Sequence, residues 1–167
     1  WFQERTEIER QALGREVETE YDAVVLAEAG LRRSGLLDQL DYQRLPADEF
    51  VPAPGQGALA IIATPGDTAD NIRTALDHPR TRVETTVERT ILAEVGGGCI
   101  APIGVHAVLR GPVVHVEARV LGPDGDSEAR VRRDIDVENH GDEAREIAAD
   151  LVTQGARDLI EAAEAEQ

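Results

Sequence analysis

The stretch IGVHAVLRGPVVHVEARVLGPDGDSEARVRRDIDV, residues 103–137, decides the fold. In its middle run Val114, Val116, Ala118 and Val120 alternate with His115, Glu117 and Arg119. Successive side chains of a strand point to opposite faces, so this alternation predicts a sheet with one apolar and one wet face. RGP separates the first run from the second, and GPDGD the second from the third; both are turn signals. Short connections of this kind join antiparallel neighbours. The expectation is three antiparallel strands, at about 103–109, 113–121 and 129–137.

Upstream, RVETTVERTILAEV places Val83, Val87, Ile91 and Val95 at every fourth position, which makes a helix with one apolar face. The glycines Gly96 to Gly98 end it, because glycine accepts the left-handed cap conformation. Before it, DTADNIRTALDH reads as another helix, with Asp67 or Thr68 as its cap and Ile72, Ala75 and Leu76 on one face. Downstream, a single helix is expected from about Asp142 to Glu164, with Ile147, Leu151 and Ile160 on its inner side. The order α-α-β-β-β-α gives an α+β fold, a small antiparallel sheet covered by helices on one face.

The first third reads differently. Residues 1–20 are charged and helical in pattern, with only a weak stripe of Ile8, Leu13 and Val17. Residues 23–26 (AVVL) and 58–63 (ALAIIA) are continuous apolar runs, the mark of buried strands. Between them AEAGLRRSG reads as a short helix starting at a strand's carboxyl end, where ligands of α/β sheets gather. Pro52 and Pro54 stiffen the approach to the second run. With no initiator methionine, and with Trp1 and Phe2 in front, the chain is expected to be part of a longer protein.

Composition narrows the function classes. Acidic residues number 33 against 17 basic ones, a formal net charge of -16, and every basic residue is arginine. The acid is spread along the chain, so the surface itself is acidic and repels nucleic acid and anionic membranes. Heavy acid without lysine matches the composition of proteins from salt-loving archaea, whose high ionic strength screens such self-repulsion. No run approaches the length of a membrane span, and no signal-peptide pattern opens the chain. One cysteine forms no internal disulfide and no metal-ligand cluster, which favours a cytoplasmic protein without a metal.

That cysteine, Cys99, stands in EVGGGCIAPIG between a helix and a strand. A glycine-rich loop can hold a reactive group clear of the backbone. The negative end of the preceding helix raises a thiol pKa, which argues against a poised hydrolytic nucleophile and suits a thiol that reacts once and stays modified. Two other readings stand beside this one. A cysteine hydrolase would pair Cys99 with His106, although His106 and His115 lie within expected strands. A non-catalytic interaction module would simply bury the thiol. Arg32 and Arg33 are further candidates; adjacent helical residues point about 100° apart, so only one of them can face a site. GQG, residues 55–57, offers close backbone approach and one amide side chain.

Three segments, YDAVVLAEAGLRRSGL, VPAPGQGALAI and ERTILAEVGGGCIAPIGVHA, resemble the hydroxymethylbilane synthase (porphobilinogen deaminase) family in order and approximate spacing. The resemblance runs over nearly all of residues 21–163. It implies a transferase of tetrapyrrole biosynthesis in which Cys99 carries a dipyrromethane cofactor through a thioether. On that primer four porphobilinogen molecules condense in turn with loss of ammonia, and hydrolysis releases 1-hydroxymethylbilane. It implies that Arg33 is the substrate-side arginine and Arg32 its exposed neighbour, with Gln56 and Gly57 at the cleft. The family's general acid/base aspartate belongs to an N-terminal motif not found here, and neither Asp22 nor Asp158 matches it. No catalytic residue is therefore assigned to this chain, which is expected to be inactive alone and to need the N-terminal portion as its partner. By the same resemblance, residues 1–46 are the end of a second, periplasmic-binding-protein-like α/β domain. Residues 47–66 return as a strand to the first domain, residues 67–167 form the cofactor-bearing domain, and the full-length protein is a monomer.

Overall fold

The computed structural model describes residues 23–96, 98 and 101–166. The helix expected over 1–20 and the thiol of Cys99 lie outside the described residues, as does Asp22. The chain divides into two compact units, Trp1–Leu45 and Pro46–Gln167.

In the first unit, helix α1 spans Glu28–Arg33 and is followed by a 3-10 turn at Leu37–Gln39. Arg32 and Arg33 occupy its last turn, where the helix dipole favours cations. The strand expected at residues 23–26 is absent, and Val25 is 76% exposed. The second apolar run fares the same way: residues 58–63 form no strand, and Leu59 and Ile62 are 89% and 95% exposed. Both corrections have one physical reason. A strand is held by ladder partners, and no described strand pairs with either run.

The second unit carries the core. Helix α2 covers Asp67–Leu76, α3 Pro79–Val95, then strands β1 Ile103–Arg110, β2 Val113–Leu121 and β3 Glu128–Asp136, then α4 His140–Thr153 and α5 Ala156–Ala165. The strands form one antiparallel sheet in the order β1-β2-β3, as the alternation predicts. Val105 pairs with Ala118 and Ala118 with Val131, so one apolar row crosses all three strands. Val87, Ile91 and Val95 of α3, Ile147 and Leu151 of α4 and Ile160 of α5 close over that face. Each such side chain contributes roughly 1.5–3 kcal/mol by leaving water. The opposite face carries His106, His115, Glu117, Arg119, Arg130 and Arg132, and from it Arg119 donates to the Glu49 carbonyl.

Three local expectations need correction. Helix α2 buries no residue and adds nothing to the core. Its N-cap is Gly66, and neither Asp67 nor Thr68 caps it, because both already lie in or at the first turn. The single C-terminal helix is two helices, broken where Gly155 takes φ 91°. Helix α3 instead begins as the capping rules require: Pro79 is its first residue, and the His78 ring accepts from the Thr81 amide.

Candidate functional site

The site is built around the connection between α3 and β1, which contains Cys99. Both ends of that connection are fixed. Upstream, Gly96 adopts φ 93° and its amide donates to the Leu92 carbonyl. The last carbonyls of α3 would otherwise be orphaned. Arg157 of α5 supplies donors to two of them, Val95 at 3.3 Å and Glu94 at 3.2 Å. Downstream, the Ile103 amide donates to Ala101, and β1 enters the sheet at once.

β1 is an edge strand, and the amides of its alternate residues face away from β2. Unpaired edge amides are costly when covered and sticky when open. Three of them have acceptors from other parts of the unit. Val105 donates to the Pro52 carbonyl at 2.9 Å, Ala107 to the Glu88 carboxylate at 2.9 Å, and Leu109 to Glu84 at 2.9 Å. Glu84 and Glu88 stand four apart on α3 and so share the helix face turned to β1. Gly104 allows the chain around Val51 to approach: a Cβ there would lie 2.4 Å from the Val51 carbonyl oxygen.

The GQG motif joins the same assembly. Residues 54–57 form a turn in which Gly55 and Gly57 have φ 77° and 84°. The Gly55 amide donates to the second oxygen of Glu88 at 2.7 Å. Glu88, buried on α3, therefore bridges the turn and β1. Burial pushes its carboxyl pKa up, against the opposing pull of the Ala107 and Gly55 amides. The side chain of Gln56 is exposed and makes no hydrogen bond among the described residues. Gly55 also borders a groove of about 500 Å³ between residues 58–63 and helices α2 and α3. Arg73, Arg82 and Arg89 line it; Arg73 pairs with Asp70 and Arg82 with Asp77, whereas Arg89 has no acidic partner among the described residues.

Arg33 lies in the other unit. It is exposed, and its Nε donates to the Ala29 carbonyl at 3.1 Å, while Arg32 pairs with Glu28 at 2.8 Å. Arg44 also binds Glu28, at 2.6 Å. Of the two neighbouring arginines, Arg33 is thus the one without a carboxylate partner among the described residues. His106 lies on the open face of the sheet with Nδ1 4.0 Å from Glu88, and His115 pairs with Asp134 at 2.5 Å. Among the described residues no group of three or more histidine, cysteine, aspartate and glutamate side chains could hold a metal. None of their helices is long and apolar enough to cross a membrane.

Sequence reasoning singled out the glycine loop and GQG but missed Glu84, Glu88, Arg89 and Arg157. The spacing of Glu84 and Glu88 beside the Ile91 and Val95 stripe was the available signal for two of them.

Two family models match the chain. One, "Porphobilinogen deaminase, dipyromethane cofactor binding domain", matches residues 8–72, and the other, "Porphobilinogen deaminase, C-terminal domain", matches residues 83–154. A protein of Halobacterium salinarum named "Probable porphobilinogen deaminase" is 47% identical over 167 residues, covering 99% of this chain and 42% of its own length. One of Methanococcoides burtonii with the same name is 41% identical, over 86% of this chain and 47% of its own length. The "Porphobilinogen deaminase" of Sulfurimonas denitrificans is 41% identical, over 89% of this chain and 48% of its own length. The chain thus spans less than half the length of these relatives.

Proposed function

This chain belongs to the porphobilinogen deaminase family, and from that premise we propose that it is the C-terminal portion of a hydroxymethylbilane synthase. The enzyme condenses four porphobilinogen molecules, with loss of ammonia, and releases 1-hydroxymethylbilane for tetrapyrrole and haem biosynthesis. The observation that carries the reading is the segment ERTILAEVGGGCIAPIG within the matched residues 83–154: a lone cysteine in a glycine loop whose two ends are tied down.

In this reading Cys99 holds a dipyrromethane cofactor by a thioether. The residues present fit such a group, because a carboxylate-bearing pyrrole pair needs cations, and Arg89 lines the groove beside Gly55 without an acidic partner among the described residues. When bound, the dipyrromethane would supply the free α-carbon that the first pyrrole unit joins, each later unit joining the end of the chain so begun. The protein's own part is to bind carboxylates and hold the two ends of the loop in place. Arg33 takes a substrate carboxylate, and Gln56 and Gly57 offer amide and backbone groups at the cleft. That Arg33 has no carboxylate partner and the Gln56 side chain no hydrogen bond among the described residues supports these roles. Residues 1–46, 47–66 and 67–167 then belong to the second domain, a crossover to the first, and the cofactor-bearing domain. The exposure of Leu59 and Ile62 supports the crossover, since a run so apolar needs partners from elsewhere. The acid-rich, single-cysteine composition is compatible with a cytoplasmic protein.

The intact mass of the denatured protein tests this. With the N-terminal portion present, the expected mass exceeds that of the chain by two linked pyrroles, and the excess disappears in Cys99→Ser. The 167-residue chain alone is expected to consume no porphobilinogen. An unmodified Cys99 in the complete protein would overturn the reading.

A further inference from the structure

We propose that Glu88 is a positioning residue: its buried carboxylate clamps the Gly55–Gly57 turn to the middle of β1, the strand that follows the Cys99 connection, accepting one hydrogen bond from each. The geometry carries this. The two oxygens of one carboxylate are used separately, Oε2 by the Gly55 amide at 2.7 Å and Oε1 by the Ala107 amide at 2.9 Å. The two donors lie 33 residues before and 19 residues after Glu88. Glu88 itself sits on α3, upstream of the loop, while Ala107 sits on β1, downstream of it. One side chain therefore ties together the two elements that flank the loop, α3 and β1, and adds the turn as a third point. Glu84 does only part of this: it accepts from Leu109 on β1 and touches no residue of the turn. Glu88 is 7% exposed, so water replaces neither bond cheaply if the carboxylate is removed.

The clamp stands on the structure alone; its consequence for turnover rests on the proposed function. In that reading the loop carries a growing chain and the turn contributes to the cleft, so a fixed distance between them orients the reacting ends. Loss of orientation lowers the chemical step more than it weakens binding.

The test compares Glu88→Ala, Glu88→Gln and Glu84→Ala in the intact protein. Hydrogen exchange is read at the Gly55, Ala107 and Leu109 amides, together with kcat and KM for porphobilinogen and the melting temperature. For Glu88→Ala, exchange at Gly55 and Ala107 is expected to quicken about tenfold or more, a change the loss of one buried bond supplies. kcat should fall by about tenfold or more while KM stays within about twofold. Glu88→Gln keeps one acceptor oxygen and should recover part of both effects. Glu84→Ala should quicken exchange at Leu109, leave Gly55 unchanged and keep kcat within about twofold. The clamp is overturned if Gly55 exchange does not respond to Glu88→Ala. It is equally overturned if Glu84→Ala loosens Gly55 as much, or if the kcat loss merely tracks the unfolded fraction. Should Glu88→Ala fail to fold, Glu88→Gln decides by the same amides. If the unsubstituted protein turns over no porphobilinogen, the proposed function fails, and the exchange results alone uphold or overturn the clamp.

Discussion

A buried carboxylate that accepts two backbone hydrogen bonds is pulled both ways. For Glu88 burial prevails, and its pKa in the folded protein lies above the ordinary glutamate value. The folded state then holds a proton that the unfolded state has already lost. Stability from this group is full below the unfolded pKa, near about 4.3, and is lost as pH rises through the folded pKa. The charged groups facing it are Glu84 on its own helix, which adds to the rise, and His106 on β1, which opposes it when protonated. Glu88→Gln cannot titrate. The stability advantage of the natural protein over this variant should therefore shrink as pH rises from about 4 to neutrality, read as paired melting curves. A gap that widens instead would mean that the two amides outweigh burial. Gly104 gives a second check at this scale. A Cβ at this position meets the Val51 carbonyl within 2.4 Å, so Gly104→Ala forces backbone apart. The expected cost is about 1–3 kcal/mol in chemical denaturation. The sequence showed Gly104 only as part of PIG. That it marks a close backbone approach depends on residue 51, more than fifty positions away.

At the scale of elements, legibility followed where each pattern's partner lies. The three strands were readable because turn and alternation are local and each strand's neighbour is the next in sequence. Helix α3 was readable because its stripe repeats without interruption. The runs at residues 23–26 and 58–63 gave the same buried-strand signal, but nothing among the described residues pairs with them. The break between α4 and α5 had a signal in the sequence: Leu151 and Ile160 are nine residues apart and fall on opposite sides of a continuous helix, so both can face the core only if the helix is broken between them. Only the φ of 91° at Gly155 stops the helix. Gly155→Ala is therefore expected to destabilise by about 1 kcal/mol, the cost of placing a Cβ in the left-handed region. If the variant were instead more stable, the left-handed conformation at Gly155 would not be required for α4 and α5 to pack as they do. The site divides the same way. A glycine loop with one cysteine is a local signal, whereas the burial of Glu88 and the reach of Arg157 to the end of α3 arise only on folding.

Across the whole molecule, a formal net charge of -16 sets two electrostatic effects against each other. Ion pairs such as Arg44–Glu28 and Arg80–Glu84 attract, but their arginines are 62% and 54% exposed. Pairs of that kind contribute about 0–1 kcal/mol each, and salt weakens them. The surplus of acid repels over the full Debye length, roughly 30 Å at 0.01 M salt and about 3 Å at 1 M. At low salt that range spans a small domain, so every surplus charge acts on the others. At high salt only near neighbours interact. Repulsion is the longer-ranged effect and loses more on screening, so the melting temperature should rise as potassium chloride goes from about 0.01 to 1 M. Sodium sulfate at matched ionic strength should raise it further, because sulfate also strengthens burial of the valine-rich core. A melting temperature that fell with potassium chloride would show that the arginine pairs, and not the acidic surplus, govern the stability of this surface.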